Sequence, residues 1–246
     1  MRINPCLALA LVAALVAREA VAQPRSASPT PTLLAKGRLA NVVDLPLFFR
    51  LYRVHLPAAQ RAEYEGASTM LYDLSGEAAI DIGGGATQPL AEGAGAYIAA
   101  GQDVTIGAAD TGPAELLLFV LTARPNERRP LFERPASSAE LFRTPEPLPG
   151  LKAGPYEFSL SRVTLPAGMP ASPAGYRSGA ALDYVLAGAG ALTADGKTQA
   201  LPAETPLVEG YRWVHQWANP GETPLVVLQA NISREGDPAV VPAAAK

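Results

Sequence analysis

The chain holds two histidines and one cysteine, so the residue types that most often carry acid–base, nucleophilic or metal chemistry can be weighed one by one. His215 has the richer surroundings. It lies in Gly210–Leu228, G-Y-R-W-V-H-Q-W-A-N-P-G-E-T-P-L-V-V-L. There an aromatic-rich run meets a Pro-Gly turn and then a continuous apolar run, a pattern that reads as strand, turn, strand, a hairpin. On a regular strand Tyr211, Trp213, His215 and Trp217 share one face, and Arg212, Val214 and Gln216 the other. An imidazole among aromatic rings offers a general acid or base beside a floor for a ring or a sugar. His55, in Phe48–Leu56, is matched by Thr164 in an internal repeat and reads as structural or exposed.

The elements that must position His215 follow from the whole chain. With 246 residues, 48% of them hydrophobic, the chain can bury a large core and is not disordered. Arg2 is followed by the apolar run Leu7–Ala17 and then by Ala20-Val21-Ala22 before Gln23, which reads as a cleaved signal peptide. The run falls short of the ~20 residues that span a bilayer. The expected location is periplasmic or secreted, with no membrane attachment after cleavage. Cys6 leaves with the signal, and it precedes the apolar run where a lipobox cysteine follows it. The exported chain then has no disulfide, thiolate nucleophile or Cys-based metal site. A formal net charge of −3 and no basic block exclude nucleic acid and anionic lipid as partners.

Beyond a proline-punctuated stretch, Pro24–Thr32, the chain becomes short apolar or alternating runs broken by Gly, Pro and Asp: Phe48–Leu56, Met70–Leu74, Ala78–Ile82, Ala96–Ala99, Val104–Ile106 and Leu116–Thr122. That rhythm predicts an all-β sandwich or barrel. Arg124–Gly154, rich in proline and mixed charge, reads as a linker, with a helical turn or an edge strand over Ser137–Phe142. The pattern then returns. Arg53-Val54-His55-Leu56-Pro57-Ala58 matches Arg162-Val163-Thr164-Leu165-Pro166-Ala167 at an offset of 109 residues, and Tyr64, Tyr72, Leu74 and Gly76 match Tyr176, Tyr184, Leu186 and Gly188 at 112. Gly101, Ala109, Gly112, Leu116 and Leu117 then match Gly210, Ala218, Gly221, Leu225 and Val226. Ordered self-matches of this kind mean two similar β units.

The second unit resembles the cupin superfamily. Asp183-Tyr184-Val185-Leu186-Ala187-Gly188-Ala189-Gly190 is similar to the Y-V-L-x-G-x-G run that closes the first cupin motif, and His215-x3-Asn219-Pro220-Gly221-Glu222-Thr223-Pro224-Leu225 is similar to the end of the second. With the repeat, the resemblance covers residues 41–234. It implies an all-β bicupin, two tandem cupin-type antiparallel β-barrels of the jelly-roll, double-stranded β-helix kind. The organisation expected is a signal peptide over 1–22, a linker over 23–40, an N-terminal barrel over 41–125, a linker over 126–153, a C-terminal barrel over 154–234 and a flexible tail over 235–246.

The resemblance also implies where chemistry is lost. Cupin metal sites use an H-x-H pair, a nearby glutamate and a later histidine, a set suited to Mn, Fe, Ni or Zn. Counted back from Gly188, those places hold Gly175, Arg177 and Ala181, and only His215 remains. In the first unit they hold Glu63, Glu65 and Thr69, with Ile106 in place of the last histidine. The expectation is therefore no cofactor beyond a single weak metal at His215. Glu63 and Glu65 lack a third ligand for a hard cation.

If the Ala181 position faces into the barrel, Asp183 does too, while Tyr184 packs outside; Arg177 points inward as well. Arg177, Asp183, Trp213, His215 and Trp217 then form the expected ligand-binding set, with the guanidinium suited to a planar anion. His215 and Asp183 form the expected catalytic pair. The plainer alternatives are an Arg177–Asp183 pair in a polar core and tryptophans that only fill space. Two functions follow. One is an exported bicupin, monomer or homodimer, that binds a small anionic or cyclic molecule in its C-terminal barrel without the usual metal centre. The other is a metal-independent or atypical-metal isomerase, epimerase or lyase with His215 as acid/base. Asn231-Ile-Ser233 matches a glycosylation sequon.

Overall fold

The computed structural model describes residues 28–42, 46–124, 131–132 and 134–244. The proposed signal peptide lies outside them. Every regular element within them is a strand. β1 (Thr30–Val42) precedes the first unit, which holds β2 (Phe48–Leu56), β3 (Arg61–Tyr64), β4 (Ser68–Ser75), β5 (Glu77–Ile82), β6 (Gln88–Ala91), β7 (Gly95–Ile98), β8 (Val104–Ala108) and β9 (Ala114–Thr122). β10 (Ser137–Arg143) precedes the second, which holds β11 (Gly154–Leu165), β12 (Gly175–Arg177), β13 (Ala180–Ala187), β14 (Ala189–Ala194), β15 (Lys197–Pro202), β16 (Pro206–Glu209), β17 (His215–Ala218) and β18 (Leu225–Arg234), followed by β19 (Val240–Pro242).

The sheets run β10-β2-β9-β4-β7 and β3-β8-β5-β6 in the first unit, and β1-β11-β18-β13-β16 and β15-β14-β17-β12-β19 in the second. Every paired ladder is antiparallel. The two units repeat each other strand for strand. β4 and β13 each end at a glycine with positive φ, Gly76 at 95° and Gly188 at 81°. A Cβ there would lie 2.4 Å from the Pro113 carbonyl oxygen and 2.7 Å from that of Pro224. Only glycine fits either place.

β9 shows why its sequence, A-E-L-L-L-F-V-L-T, is continuously apolar rather than alternating. Leu116, Leu118 and Val120 face the interior of the first barrel with Leu71, Ile98 and Ile106. Leu117, Phe119 and Leu121 face the other way, into a core shared with Tyr156, Phe158, Leu182, Tyr184 and Ile232 of the second unit. A strand covered on both sides reads as an unbroken apolar run. At about 1.5–3 kcal/mol for each fully buried large side chain, this shared core binds the barrels into one body. Tyr184 packs outside its own barrel as expected, and its hydroxyl accepts a hydrogen bond from Arg53 Nη2 at 3.2 Å.

Several expectations are corrected here. The stretch read as a linker over 23–40 runs into β1, which pairs with β11 from Thr30↔Thr164 to Val42↔Gly154. Ser137–Phe142 is an edge strand, β10, paired with β2. Each arm thus crosses to the other barrel. The tail read as flexible carries β19, which pairs with β12 through Tyr176↔Val241. The predicted hairpin over Gly210–Leu228 is not one: β17 and β18 belong to different sheets, so the Pro220-Gly221 turn is a corner between layers.

Candidate ligand site in the second barrel

Matched register makes the two barrel interiors comparable position by position. β4 pairs with β7 through Thr69↔Ile98 and with β9 through Leu71↔Leu118 and Thr69↔Val120. β13 pairs with β16 through Ala181↔Glu209 and with β18 through Asp183↔Gln229 and Ala181↔Asn231. Leu71, Ile98, Leu118 and Val120 of the first barrel therefore become Asp183, Glu209, Gln229 and Asn231 in the second. Through β5 and β14 the position of His215 is that of Val104, and Trp217 that of Ile106. Ile106 is thus not the counterpart of His215, a correction of two residues along the strand.

The first interior is an apolar plug, into which Tyr64 and Phe132 also pack. Glu63 and Glu65, which lack a third ligand for a hard cation, are exposed, because Ala62 and Tyr64 are the inward residues of β3. One residue of phase moves a side chain to the opposite face. His55 is exposed and its Nδ1 lies 2.6 Å from Glu115 Oε1.

The second interior is polar at its centre. Glu209, which the sequence reading missed, is wholly buried on β16. Its Oε2 takes a close contact from Arg177 Nε, and its Oε1 accepts from His215 Nε2 at 2.9 Å and from Trp217 Nε1 at 2.7 Å. Arg177 Nη2 lies 3.7 Å from Asp183 Oδ1, and Asp183 Oδ2 accepts from Gln229 Nε2 at 3.3 Å. Arg177 and Asp183 both face inward as predicted, and they are near each other. The expected His215–Asp183 pair is not formed: the carboxylate on the imidazole is that of Glu209.

Electrostatics separate the two acids. Burial pushes the Asp183 carboxyl well above its ordinary range, and the negative charge of Glu209 adds to this. Burial opposes ionisation of Glu209 too, but the Arg177 charge and the His215 hydrogen bond overcome it and hold Glu209 below its ordinary value. Arg177, in spite of burial, is held above its own by Glu209 and then Asp183. The shared site thus drives the two acids apart, Glu209 toward its ionised form and Asp183 toward its protonated form.

The aromatic residues divide. Tyr211 and Trp213 precede β17, and Arg212 adopts φ 57°, so the strict alternation predicted over the run holds only within β17. Trp213 is half-buried; its ring lies against His215 at 5.4 Å between centroids and its Nε1 donates to Asp195 at 3.3 Å. Its carbonyl oxygen is 2.9 Å from His215 Nδ1. Trp217 does line the barrel. A cavity of about 320 Å³ is bounded by Arg177, His215, Trp217 and Gln229 together with Val163, Leu165, Val227 and Val240, and by Pro29 and Pro31 of the exchanged arm. The cavity opens to the surface; at the matched places of the first barrel Val104, Ile106 and Leu118 are packed in its core, and that unit's own opening, about 400 Å³, lies elsewhere, beside Arg50, Glu65 and Thr122.

The same tandem arrangement occurs in solved structures. Similar solved structures include an oxalate decarboxylase described by its substrate binding mode and a reaction-specificity switch, 14% identical over 83% of this chain and 78% of that one, with a TM-score of 0.54. The Bacillus subtilis oxalate decarboxylase described by its Mn(II) centres is 15% identical over 82% and 74%, TM-score 0.54; a variant of the Bacillus subtilis enzyme is 16% identical over 81% and 71%, TM-score 0.55. No family model matches the chain, and no curated protein does. The fold is that of tandem cupin-type barrels.

The expectation of no cofactor is corrected by the same comparison, since a chain of this fold is described by its Mn(II) centres. The second barrel's own donors do not fit such an ion. Gly175 and Ala181 offer no ligand atom, the Arg177 guanidinium lies against Glu209, and Glu209 is bonded to His215 and Trp217. Among the described residues no group of three His, Cys, Asp or Glu is placed to hold a metal.

Proposed function

We propose that the chain is an exported cupin-fold protein, monomer or homodimer, that binds a small anionic or cyclic molecule in its second barrel. The observation that carries this is the cavity of about 320 Å³, with Arg177 and His215 on its boundary and apolar side chains over the rest. Apolar walls around a few convergent polar groups are the usual make-up of a small-molecule site. Arg177 Nε is held by Glu209, so the donors it would turn to a carboxylate are those of its Nη groups.

The second reading is an isomerase, epimerase or lyase with His215 as acid/base, supported by the 2.9 Å contact to Glu209. Binding is favoured over it. Nε2 faces Glu209 and Nδ1 faces the Trp213 carbonyl, which leaves neither nitrogen open to a molecule in the cavity.

A thermal-shift screen of organic acids and sugars tests the proposal on the wild type and on an Arg177→Gln/Glu209→Gln double variant, which removes both charges together. An organic acid should raise the melting temperature of the wild type alone. Equal shifts in the two proteins would take Arg177 out of the site. Export is read from the first residue of the chain recovered outside the cytoplasm, expected at Gln23.

A further inference from the structure

The exchanged arm gives the second barrel a wall that its own repeat does not supply. Pro31 pairs with Val163, and Val163 faces the interior with Leu165 and Val227. Directly opposed antiparallel residues project to the same side, so Pro31, itself exposed, stands at the rim of the cavity, and Pro29, just before the start of β1, joins it there. In the first barrel the matching partner of Val54 is Ser138, over an interior already filled by Tyr64, Leu71 and Ile106. A proline lacks the donor that a ladder needs, yet an edge strand tolerates it, and its ring brings rigid apolar surface with little side-chain entropy to lose.

Size and lining decide what fits. An apolar cavity of about 150 Å³ holds a benzene ring, so about 320 Å³ takes a ring and a carboxylate together. A small dianion would touch Arg177 but leave Pro29, Pro31, Trp217 and Val227 without an apolar partner. We propose that Pro29 and Pro31 form a specificity-determining wall that selects a carboxylate carrying an apolar, ring-sized body. This deepens the reading of the second barrel as an anion site and rests on it.

Isothermal titration of the full chain with benzoate, cyclohexanecarboxylate, acetate, oxalate and benzyl alcohol tests the idea. Benzoate and cyclohexanecarboxylate should bind at least about tenfold more tightly than the other three, from the extra apolar area buried. Pro29→Gly/Pro31→Gly should weaken benzoate about tenfold and leave acetate unchanged, and Pro31→Trp, whose ring fills the same space, should abolish benzoate binding. Acetate or oxalate binding as well as benzoate, or an equal loss of acetate and benzoate in the glycine variant, overturns the wall while the anion site stands. If none of the four carboxylates binds the wild type, the anion site falls and the wall with it.

Discussion

Glu209 lies directly across the β13–β16 ladder from Ala181. The position where the family resemblance places a glutamate is empty, and a buried carboxylate reaches His215 from the neighbouring strand instead. There it meets a guanidinium rather than joining a set of metal ligands. Arg177, Glu209, His215 and Trp217 make one connected group, and its energetics follow from burial. Taking Glu209 out of the group leaves Arg177 desolvated with Asp183, 3.7 Å away, as its remaining acidic neighbour.

Glu209→Gln is therefore expected to destabilise the chain by about 3–5 kcal/mol, the cost of breaking a buried pair from one side. Arg177→Met/Glu209→Leu should recover most of that loss, because both charges go together. Urea unfolding of the three proteins at pH 7 is the measurement. The wild-type contribution of Glu209 also has a sign with pH. Its folded value lies below the ordinary 4.5, so the stability is fully present above 4.5 and is lost as pH falls from there through the lower folded value. A double variant as unstable as the single one would mean that packing, not charge, governs the site.

Asp73 offers the opposite pH dependence in the first unit. It is wholly buried, accepts from the Ala78 amide at 3.1 Å, and burial pushes its carboxyl up to about 6. The fold thus favours the protonated form. Its contribution is full below the ordinary 3.8 and is lost as pH rises through about 6. Asp73→Asn keeps the acceptor and cannot ionise, so it should gain stability over wild type at pH 7, on the order of 1–3 kcal/mol, and be near neutral at pH 4. Denaturation midpoints at the two pH values check this; a variant less stable at pH 7 would show that the carboxylate is stabilising.

The arm β1 should carry stability as well as shape. It covers the edge of β11, and Leu34, Ala35 and Leu39 pack on the core shared by the two units. Deleting residues 1–40 should speed amide exchange along β11 before it affects β2, since an uncovered edge opens first. Hydrogen exchange read by mass spectrometry reports both strands. Equal acceleration in β2 and β11 would mean that the arm acts on the whole fold.

How much of this was legible beforehand depended on where the signal lay. Apolar runs such as Leu116–Thr122 and the repeat of Gly76 at Gly188 carried the all-β, two-unit architecture, because buried strands and a positive-φ turn leave marks that substitution rarely hides. Arg177 and Asp183 were placed inward correctly by counting from that glycine. Glu209 was missed because it ends a short apolar strand, P-L-V-E, and shows itself only through its cross-strand neighbour. The signal that finds it is the repeat, where Ile98 stands at the same place. β1 escaped notice for a different reason. Its proline-punctuated start masks an extended strand whose partner, β11, lies more than a hundred residues away in the chain.

The same repeat identifies a position where the second barrel gives up stability. Asn231 is buried in β18, and neither its Oδ1 nor its Nδ2 has a hydrogen-bond partner among the described residues. Val120 holds the matched place in the first barrel and is buried among apolar neighbours. A buried amide left unpartnered costs roughly 1–3 kcal/mol, so Asn231→Val should raise stability by that order, read as a higher urea midpoint with an unchanged slope. Burial also removes Asn231-Ile-Ser233 from use as a glycosylation site on the folded chain. Asn231 is not among the residues bounding the cavity, so the variant should keep any thermal shift that an organic acid produces in the wild type. A loss of stability in Asn231→Val would mean that the amide is satisfied by ordered water; a retained stability gain with a lost thermal shift would extend the ligand site down to Asn231.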